Sequence, residues 1–354
     1  MGKAGALNGW SDWQVLGGLP ALSADVLAET LDGGQAFRWQ RVSLAPDDGS
    51  AAAGDAATIV FQGQWGDNLV RLRLARDSAI PRAHARSYER ERVVSGSPVE
   101  SGLDIWQRVE WSAPLAIVDR AEAALSYYLG LEQDFAALAD TLPWRSDPHL
   151  ARCLVSFSGL RILRQPFGET LLGFLCSATK QIVQIKQMVA LLAQRHGTPI
   201  AGLDARTKHA IVAHRLPTWA ELAAIPEQEL RACLLGFRAR YISETSRFLA
   251  ANPGWLEATE NTPYPEAKER LCSLPGVGEK VADCVLLFGA GRLEAFPVDV
   301  WILKTLALRY GLDGWRPAQL AQFGRAHFGP QAGLAQQYLF AWERRTARTT
   351  SRAG

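Results

Sequence analysis

The run LPGVG at 274–278 constrains the fold more than any other stretch, because it joins two segments of helical periodicity with almost no chain between them. Ahead of it, Ala267, Leu271 and Leu274 recur at i, i+4 and i+7, one face of a helix that Pro275 stops. Behind it, Val281, Cys284, Val285 and Phe288 set a second helical face. Gly276 and Gly278 flank Val277 and permit positive φ and close backbone approach, so residues 266–289 read as helix, hairpin, helix. The first amides of the second helix have no partner within it and lie at the positive end of its dipole, where a phosphate can be held by backbone alone. Gly276, Val277 and Gly278 are therefore candidate backbone contacts to a phosphate.

Two nearby residues add possible chemistry. Lys280 lies in the first turn of the second helix, with Cys284 one turn further on the same face. Asp299 follows Pro297 and precedes the apolar run Val300, Ile302, Leu303 and Leu306, a position suited to an N-cap. An amine and a carboxylate at neighbouring helix starts can face one sugar. Each has a plain alternative: a first-turn lysine is commonly a solvated surface group, and an N-cap aspartate contributes about 1 kcal/mol without any catalysis.

The stretch LPGVGEKVADC followed by PVDVW resembles the helix-hairpin-helix DNA glycosylases, and most closely the eukaryotic-type 8-oxoguanine DNA glycosylase/AP lyases. Further blocks similar to that family follow its order: GQAFRW at 34–39, GLRILRQPF at 159–167, LGFRARY at 235–241 and GLAQQYLF at 333–340. The resemblance thus covers most of the chain. It implies an α+β protein, with an N-terminal antiparallel-sheet domain (TBP-like) over residues 1–115, a mostly helical glycosylase domain over 116–343, and a basic tail at 344–354.

The residue pattern agrees with that division. TIVFQGQW at 58–65 and NLVRLRLA at 68–75 have strand character and should pair as a hairpin across Gly66 and Asp67, with Val70, Leu72 and Leu74 on one face and Arg71 and Arg73 on the other. From about residue 116 the period becomes helical, with Pro143, Pro148, Pro166, Pro199, Pro217 and Pro226 as boundaries. Residues 168–195 read as a buried helix and an amphipathic neighbour. Residues 44–57, 78–104 and the polar end at 344–354 show no core face and are expected as loops or frayed chain.

Composition sets the bounds. A hydrophobic fraction of 48% in 354 residues supports a large core, while no apolar run approaches the ~18 residues of a membrane span. The five cysteines are scattered and none follows Cys284, which indicates neither a zinc site nor the C-terminal iron–sulfur cluster of the endonuclease III and adenine glycosylase branches. Net charge is only +2, so any basic DNA-binding surface must be local. The chain reads as an intracellular monomer acting with DNA, in the cytoplasm or nucleoid if bacterial and in the nucleus if eukaryotic.

By residue-to-residue resemblance, Lys280 is the catalytic lysine and Asp299 the catalytic aspartate. Breaking a purine–sugar bond builds positive charge on the sugar, which a carboxylate can stabilise while an amine captures C1′. The resulting imine acidifies the 2′ proton, so β-elimination cuts the strand without a cofactor; a structural monovalent or divalent cation at the hairpin is compatible with this scheme. The partner would be double-stranded DNA containing a damaged purine flipped out of the stack. Phe340 and Cys284 would sandwich the base, Gln336 would meet its Watson–Crick edge, Pro297 would line the pocket, and the Gly34 carbonyl would accept from N7–H. Guanine lacks that hydrogen, so a fixed carbonyl rewards the oxidised base.

On the opposite strand, the resemblance makes Phe237 the wedge and Arg238 a donor to the orphaned cytosine, the alternative being a core Phe237 and a solvated arginine. Here the chain departs from its family. Thr179, Lys180, Gln181 and Gln184 occupy positions where asparagines and then an arginine are expected, which puts opposite-base selectivity in doubt. Trp301 replaces a histidine two residues after Asp299 and is a candidate DNA contact with one N–H to donate to Glu343, itself in place of an aspartate. A noncatalytic lesion-binding protein and a glycosylase for another damaged purine stay open as alternatives. The joint presence of Lys280, Asp299, Gln336 and Phe340 favours the oxidised-guanine enzyme.

Overall fold

The computed structural model describes residues 9–43, 59–75, 106–200 and 213–353, with side chains to residue 347. The stretches 44–57 and 78–104, expected as loops, lie outside the described residues. Strand β1 (Gln14–Val15) is followed by helix α1 (Ala24–Asp32), which the Ser23 hydroxyl caps and which buries Val26, Leu27 and Leu31. Strands β2 (Trp39–Val42), β3 (Val60–Trp65), β4 (Asn68–Leu74) and β5 (Val109–Ser112) complete a five-stranded antiparallel sheet in the order β1-β5-β4-β3-β2. The β3–β4 hairpin closes at Gly66 and Asp67, with Trp65 opposite Asn68 and Gly66 at φ +48°, as the sequence predicts.

The rest of the described chain is helical. It comprises α2 (Val118–Tyr128), α3 (Phe135–Asp140), α4 (Pro148–Ser156), α5 (Phe167–Leu175), α6 (Ile182–His196), α7 (Trp219–Ala223) and α8 (Glu227–Leu230). After a widened turn at Arg231–Leu235 come α9 (Arg238–Ala251), α10 (Trp255–Asn261), α11 (Tyr264–Cys272), α12 (Glu279–Phe288), α13 (Val300–Tyr310), α14 (Pro317–Phe328) and α15 (Ala332–Ala353). Pro148 stands in the first turn of α4, and Pro166 and Pro226 cap α5 and α8, the boundary role expected of them. Residues 344–353 are not a frayed tail. They continue α15, and Arg344 is buried.

Sheet and helices share one core. Trp39 is fully buried over Gly63, where a Cβ would lie 2.4 Å from its ring, and its Nε1 donates to the Tyr128 hydroxyl of α2 at 3.1 Å. Trp65 packs on the same tyrosine at 4.2 Å between ring centroids. These contacts fix the sheet against the helical layer and set the direction in which the 33–38 segment leaves α1.

The helix-hairpin-helix unit is α11, the turn 273–278 and α12. Only Gly276 uses positive φ (+78°); Gly278 is extended and caps α12. The two helices are tied by a buried acid: Tyr264 donates to Asp283 Oδ1 at 2.7 Å and Lys268 to Oδ2 at 3.1 Å. Burial raises the Asp283 carboxyl above its ordinary range, with Lys268 and Tyr264 pulling it back down. Removing the acid leaves a lysine and a hydroxyl without their partner inside the protein. We therefore expect Asp283→Ala to cost about 2–4 kcal/mol in urea unfolding, because a broken buried pair loses more than one hydrogen bond; a change below about 0.5 kcal/mol would show that the network does not hold the hairpin.

Candidate active site

Lys280 is the second residue of α12, half-buried, with its ammonium 5.3 Å from the centre of the Phe174 ring. Asp299 caps α13 as expected: its Oδ1 accepts from the amides of Trp301 at 3.0 Å and Ile302 at 2.9 Å, leaving the second oxygen for other work. Burial pushes the Asp299 carboxyl above the usual carboxylate range, while the Ile302 amide, the Lys280 ammonium and the Trp301 amide draw it down. Burial likewise raises the Cys284 thiol to about 12, against the pull of Lys280. Cys284 is thus a neutral, packed group near the amine.

The proposed base pocket assembles around α15. Gln336, Phe340 and Arg344 recur at i, i+4 and i+8 and mark one face of that helix. Gln336 Nε2 donates to the Pro297 carbonyl at 3.2 Å, two residues before Asp299, and Gln337 donates to Gln336 Oε1 at 2.7 Å. Gly34 sits at φ +114°, where L side chains are rare; a Cβ there would lie 2.9 Å from Ile182 and 3.8 Å from the Phe340 ring. Gly34, Phe340, Gln336 and Pro297 are thereby linked in space although 302 residues separate the first and third in sequence.

The segment beside Gly34 is anchored by Gln35, which is buried. Its Nε2 donates to the Arg161 carbonyl at 2.8 Å and its Oε1 accepts from the Leu163 amide at 3.0 Å. Gln165 then donates to the Gln35 carbonyl at 2.7 Å. The GQAFRW and GLRILRQPF blocks are thus two sides of one joint. Sequence reasoning passed over Gln35 and Arg344; the available signals were an amide inside a glycine-led block and the continuation of the Gln336–Phe340 face by one more turn.

The DNA-facing candidates behave differently from one another. Phe237 is half exposed, as a wedge requires, and is no core residue. Arg238 is neither solvated nor presented outward: it is buried, donates to the carbonyls of Leu235 and Ala178 and to Thr179 Oγ1, and lies 4.4 Å from the Phe237 ring centre. Thr179 (φ +55°) and Leu234 (φ +64°), the non-glycine residues at positive φ among those described, stand in the two loops that Arg238 joins. Gln184 turns back to accept from the Gln181 amide at 3.2 Å and caps α6. The expected Trp301–Glu343 contact does not form. Glu343 accepts instead from Arg309 at 3.3 Å, an arginine two turns beyond Trp301 on α13.

A cavity of about 1000 Å³ opens elsewhere, between the β3–β4 turn, the start of α5 and α10, lined by Trp65, Trp219 and Trp255; none of the candidate site residues borders it. Among the described residues no cluster of three His, Cys, Asp or Glu could hold a metal ion, and no helix is long and apolar enough to cross a membrane.

An antiparallel sheet joined to helices through one core, with a glycine hairpin between α11 and α12 and a capping carboxylate at the start of α13, is the architecture of the helix-hairpin-helix class of DNA glycosylase folds. Residues 22–171 match the model of the 8-oxoguanine DNA glycosylase N-terminal domain. The chain is 31% identical over 325 residues to the N-glycosylase/DNA lyase OGG1 of Arabidopsis thaliana, covering 89% of this chain and 76% of the plant protein. It is 30% identical to a probable N-glycosylase/DNA lyase of Methanothermobacter thermautotrophicus, over 63% of this chain and 74% of the archaeal one. Among solved structures it is similar to the Clostridium acetobutylicum 8-oxoguanine glycosylase/lyase in complex with duplex DNA containing cytosine opposite 8-oxoG, with a TM-score of 0.69, 25% identity, and coverage of 91% and 92% of the two chains. The chain belongs to the OGG1 family of N-glycosylase/DNA lyases.

The hairpin gives a direct test of the backbone grip. A Cβ on Gly276 would meet the Tyr241 ring at 2.5 Å in a left-handed conformation. We expect Gly276→Ala to lower stability by about 1–3 kcal/mol and to weaken binding to undamaged duplex as much as to damaged duplex. Fluorescence anisotropy on both DNAs checks this; loss confined to damaged DNA would contradict a sequence-independent phosphate grip.

Proposed function

We propose that this protein excises 8-oxoguanine from duplex DNA through a Schiff base on Lys280 and then cuts the abasic strand by β-elimination. The observation that supports the proposal is the placement of Lys280 in the first turn of α12 and of Asp299 as the cap of α13, with Gln336 of the Gly34–Phe340–Gln336 pocket bonded to the carbonyl of Pro297, two residues before Asp299. As the base leaves with the bonding electrons, C1′ becomes cationic, and the second oxygen of Asp299 stabilises that charge. A proton of the Lys280 ammonium passes to the departing base anion, the freed amine bonds to C1′, the ring oxygen takes a second proton from that nitrogen as the ring opens to a protonated imine, and loss of the 2′ proton to water expels the 3′ phosphate. This route needs no cofactor. The protein works as a monomer on double-stranded DNA, in whichever compartment holds that DNA.

Recognition rests on what the oxidised base gains at N7. Its hydrogen meets the Gly34 carbonyl, whereas guanine would set two acceptors against each other at a buried site. Phe340 supplies a stacking face and Gln336 a polar edge. In the free protein Pro297 and Gln337 hold the Gln336 amide by one N–H and one lone pair, which leaves its second N–H and second lone pair for an incoming base.

Borohydride reduction tests the covalent step: it should trap the wild type on lesion DNA and fail to trap Lys280→Gln, because an amide is no substitute for the amine. Trapping retained in that variant sinks the assignment. Asp299→Asn should slow excision on the order of 100-fold with DNA affinity nearly unchanged, since asparagine also caps a helix. Asp299 acts ionised and its pKa is raised, so activity should fall on acidification at a pH above the ordinary aspartate range. The pH–rate profile of the Asn variant should lack that acid limb; an unchanged limb assigns it to another group.

Opposite-base selectivity should be shallow. Thr179 is short and Gln184 lacks the charged fork of arginine, while Arg238 must release Ala178 and Thr179 before it can reach a cytosine. Excision with the lesion paired to each of the four bases checks this. Activity almost confined to cytosine would contradict it, and an unchanged preference in Arg238→Ala would remove Arg238 from the reading of that strand.

A further inference from the structure

We infer that Arg344 is a positioning residue for lesion reading, holding the Gly33–Gly34 turn and the Phe340 ring in one fixed arrangement. This rests on the proposed reading of Gly34 and Phe340 as the groups that meet the damaged base. Arg344 Nη1 donates to the Gly33 carbonyl and, at 2.6 Å, to Glu29 Oε1, one turn back on α1. Its guanidinium lies 5.2 Å from the centre of the Phe340 ring. Both side chains of the Arg344–Glu29 pair are nearly sealed from solvent, with 8% and 11% exposure, so this is no screened surface contact.

The physical case follows from what Gly34 must do. A carbonyl that distinguishes a base by one hydrogen has to be held still, because a turn free to rotate could offer its amide N–H to guanine N7 instead. Gly34 lies at φ +114°, a region open to glycine because glycine is flexible, so the rigidity must come from its neighbours. On the far side Gln35 is fixed through both ends of its amide. On the near side the carbonyl of Gly33 is fixed by Arg344. The same guanidinium flanks the phenyl ring against which Gly34 rests, so a single planar cation ties the reading carbonyl's turn to the stacking face. Both oxygens accept from one nitrogen, so a lysine ammonium can keep such bonds, but it lacks the flat guanidinium that lies over the Phe340 ring.

The test separates base reading from chemistry that needs no base. Single-turnover excision from an 8-oxoguanine duplex is compared with strand cleavage of a preformed abasic duplex, for wild type, Arg344→Leu and Arg344→Lys. A misplacement of about 1 Å in the reading turn should slow excision by about tenfold to a hundredfold. Cleavage at the abasic site, which uses Lys280 alone, should stay within about twofold. Arg344→Lys should fall between wild type and Arg344→Leu in excision and match wild type in cleavage. Equal loss of both activities would make Arg344 a scaffold residue and overturn the inference, as would excision unchanged in both variants. If Arg344→Leu does not fold, the excision-to-cleavage ratio of Arg344→Lys decides alone, and a ratio equal to wild type overturns it. A wild type that cleaves abasic DNA but leaves 8-oxoguanine in place refutes the functional reading itself, which is a different result from any of these.

Discussion

Gln35 uses both ends of one buried amide to fasten the segment after α1 to the backbone at 161 and 163, and the geometry of the site depends on that joint. A buried amide with an unmet end would cost a few kcal/mol, so the two segments cannot drift apart cheaply. The joint brings the sheet half of the chain to the helical half at the place where Gly34 must stand. Arg161, whose carbonyl accepts from Gln35, donates in turn to the carbonyls of Leu129 and Gly130, so the anchor is itself anchored behind α2. The candidate pocket is therefore a product of packing between distant blocks, not of any one motif.

The amine and carboxylate are held by a different device. Each sits at a helix start, where backbone geometry fixes the side chain's origin to within the precision of the helix itself. Asp299 spends one oxygen on two amides and keeps the other, an economical use of a cap. Stacking of Phe174 on Phe288, with centroids 5.7 Å apart, joins α5 to α12 beneath Lys280. The buried Asp283 keeps α11 from sliding against α12. Rigid elements thus hold the candidate catalytic pair, while the loops at 179 and 234 carry strain: Thr179 and Leu234 stand at positive φ, a conformation that costs about 1 kcal/mol or more for residues other than glycine.

Much of this was legible in the sequence because local rules sufficed. The hairpin follows from LPGVG between two helical faces, and the β3–β4 turn follows from alternation around Gly66–Asp67. Asp299 as a cap follows from its place before an apolar run. What escaped depended on partners far along the chain. Arg344 reads as part of a basic, polar end, and only Glu29, 315 positions away, makes it a buried group. Family resemblance pairs Glu343 with Trp301, yet helix geometry gives it Arg309. Arg238 looked like an outward donor until the α5–α6 loop supplied acceptors. Each miss is a case of side-chain pairing that periodicity does not encode.

In the proposed reaction one amine, at the start of α12, becomes covalently joined to the sugar of the damaged nucleotide. Mass spectrometry of proteolytic fragments from the borohydride-reduced complex tests this most directly, since it locates the attached sugar on the chain. A single modified site at Lys280 is expected. Modification at Lys268, Lys304 or the N-terminal amine, with Lys280 unmodified, would contradict it.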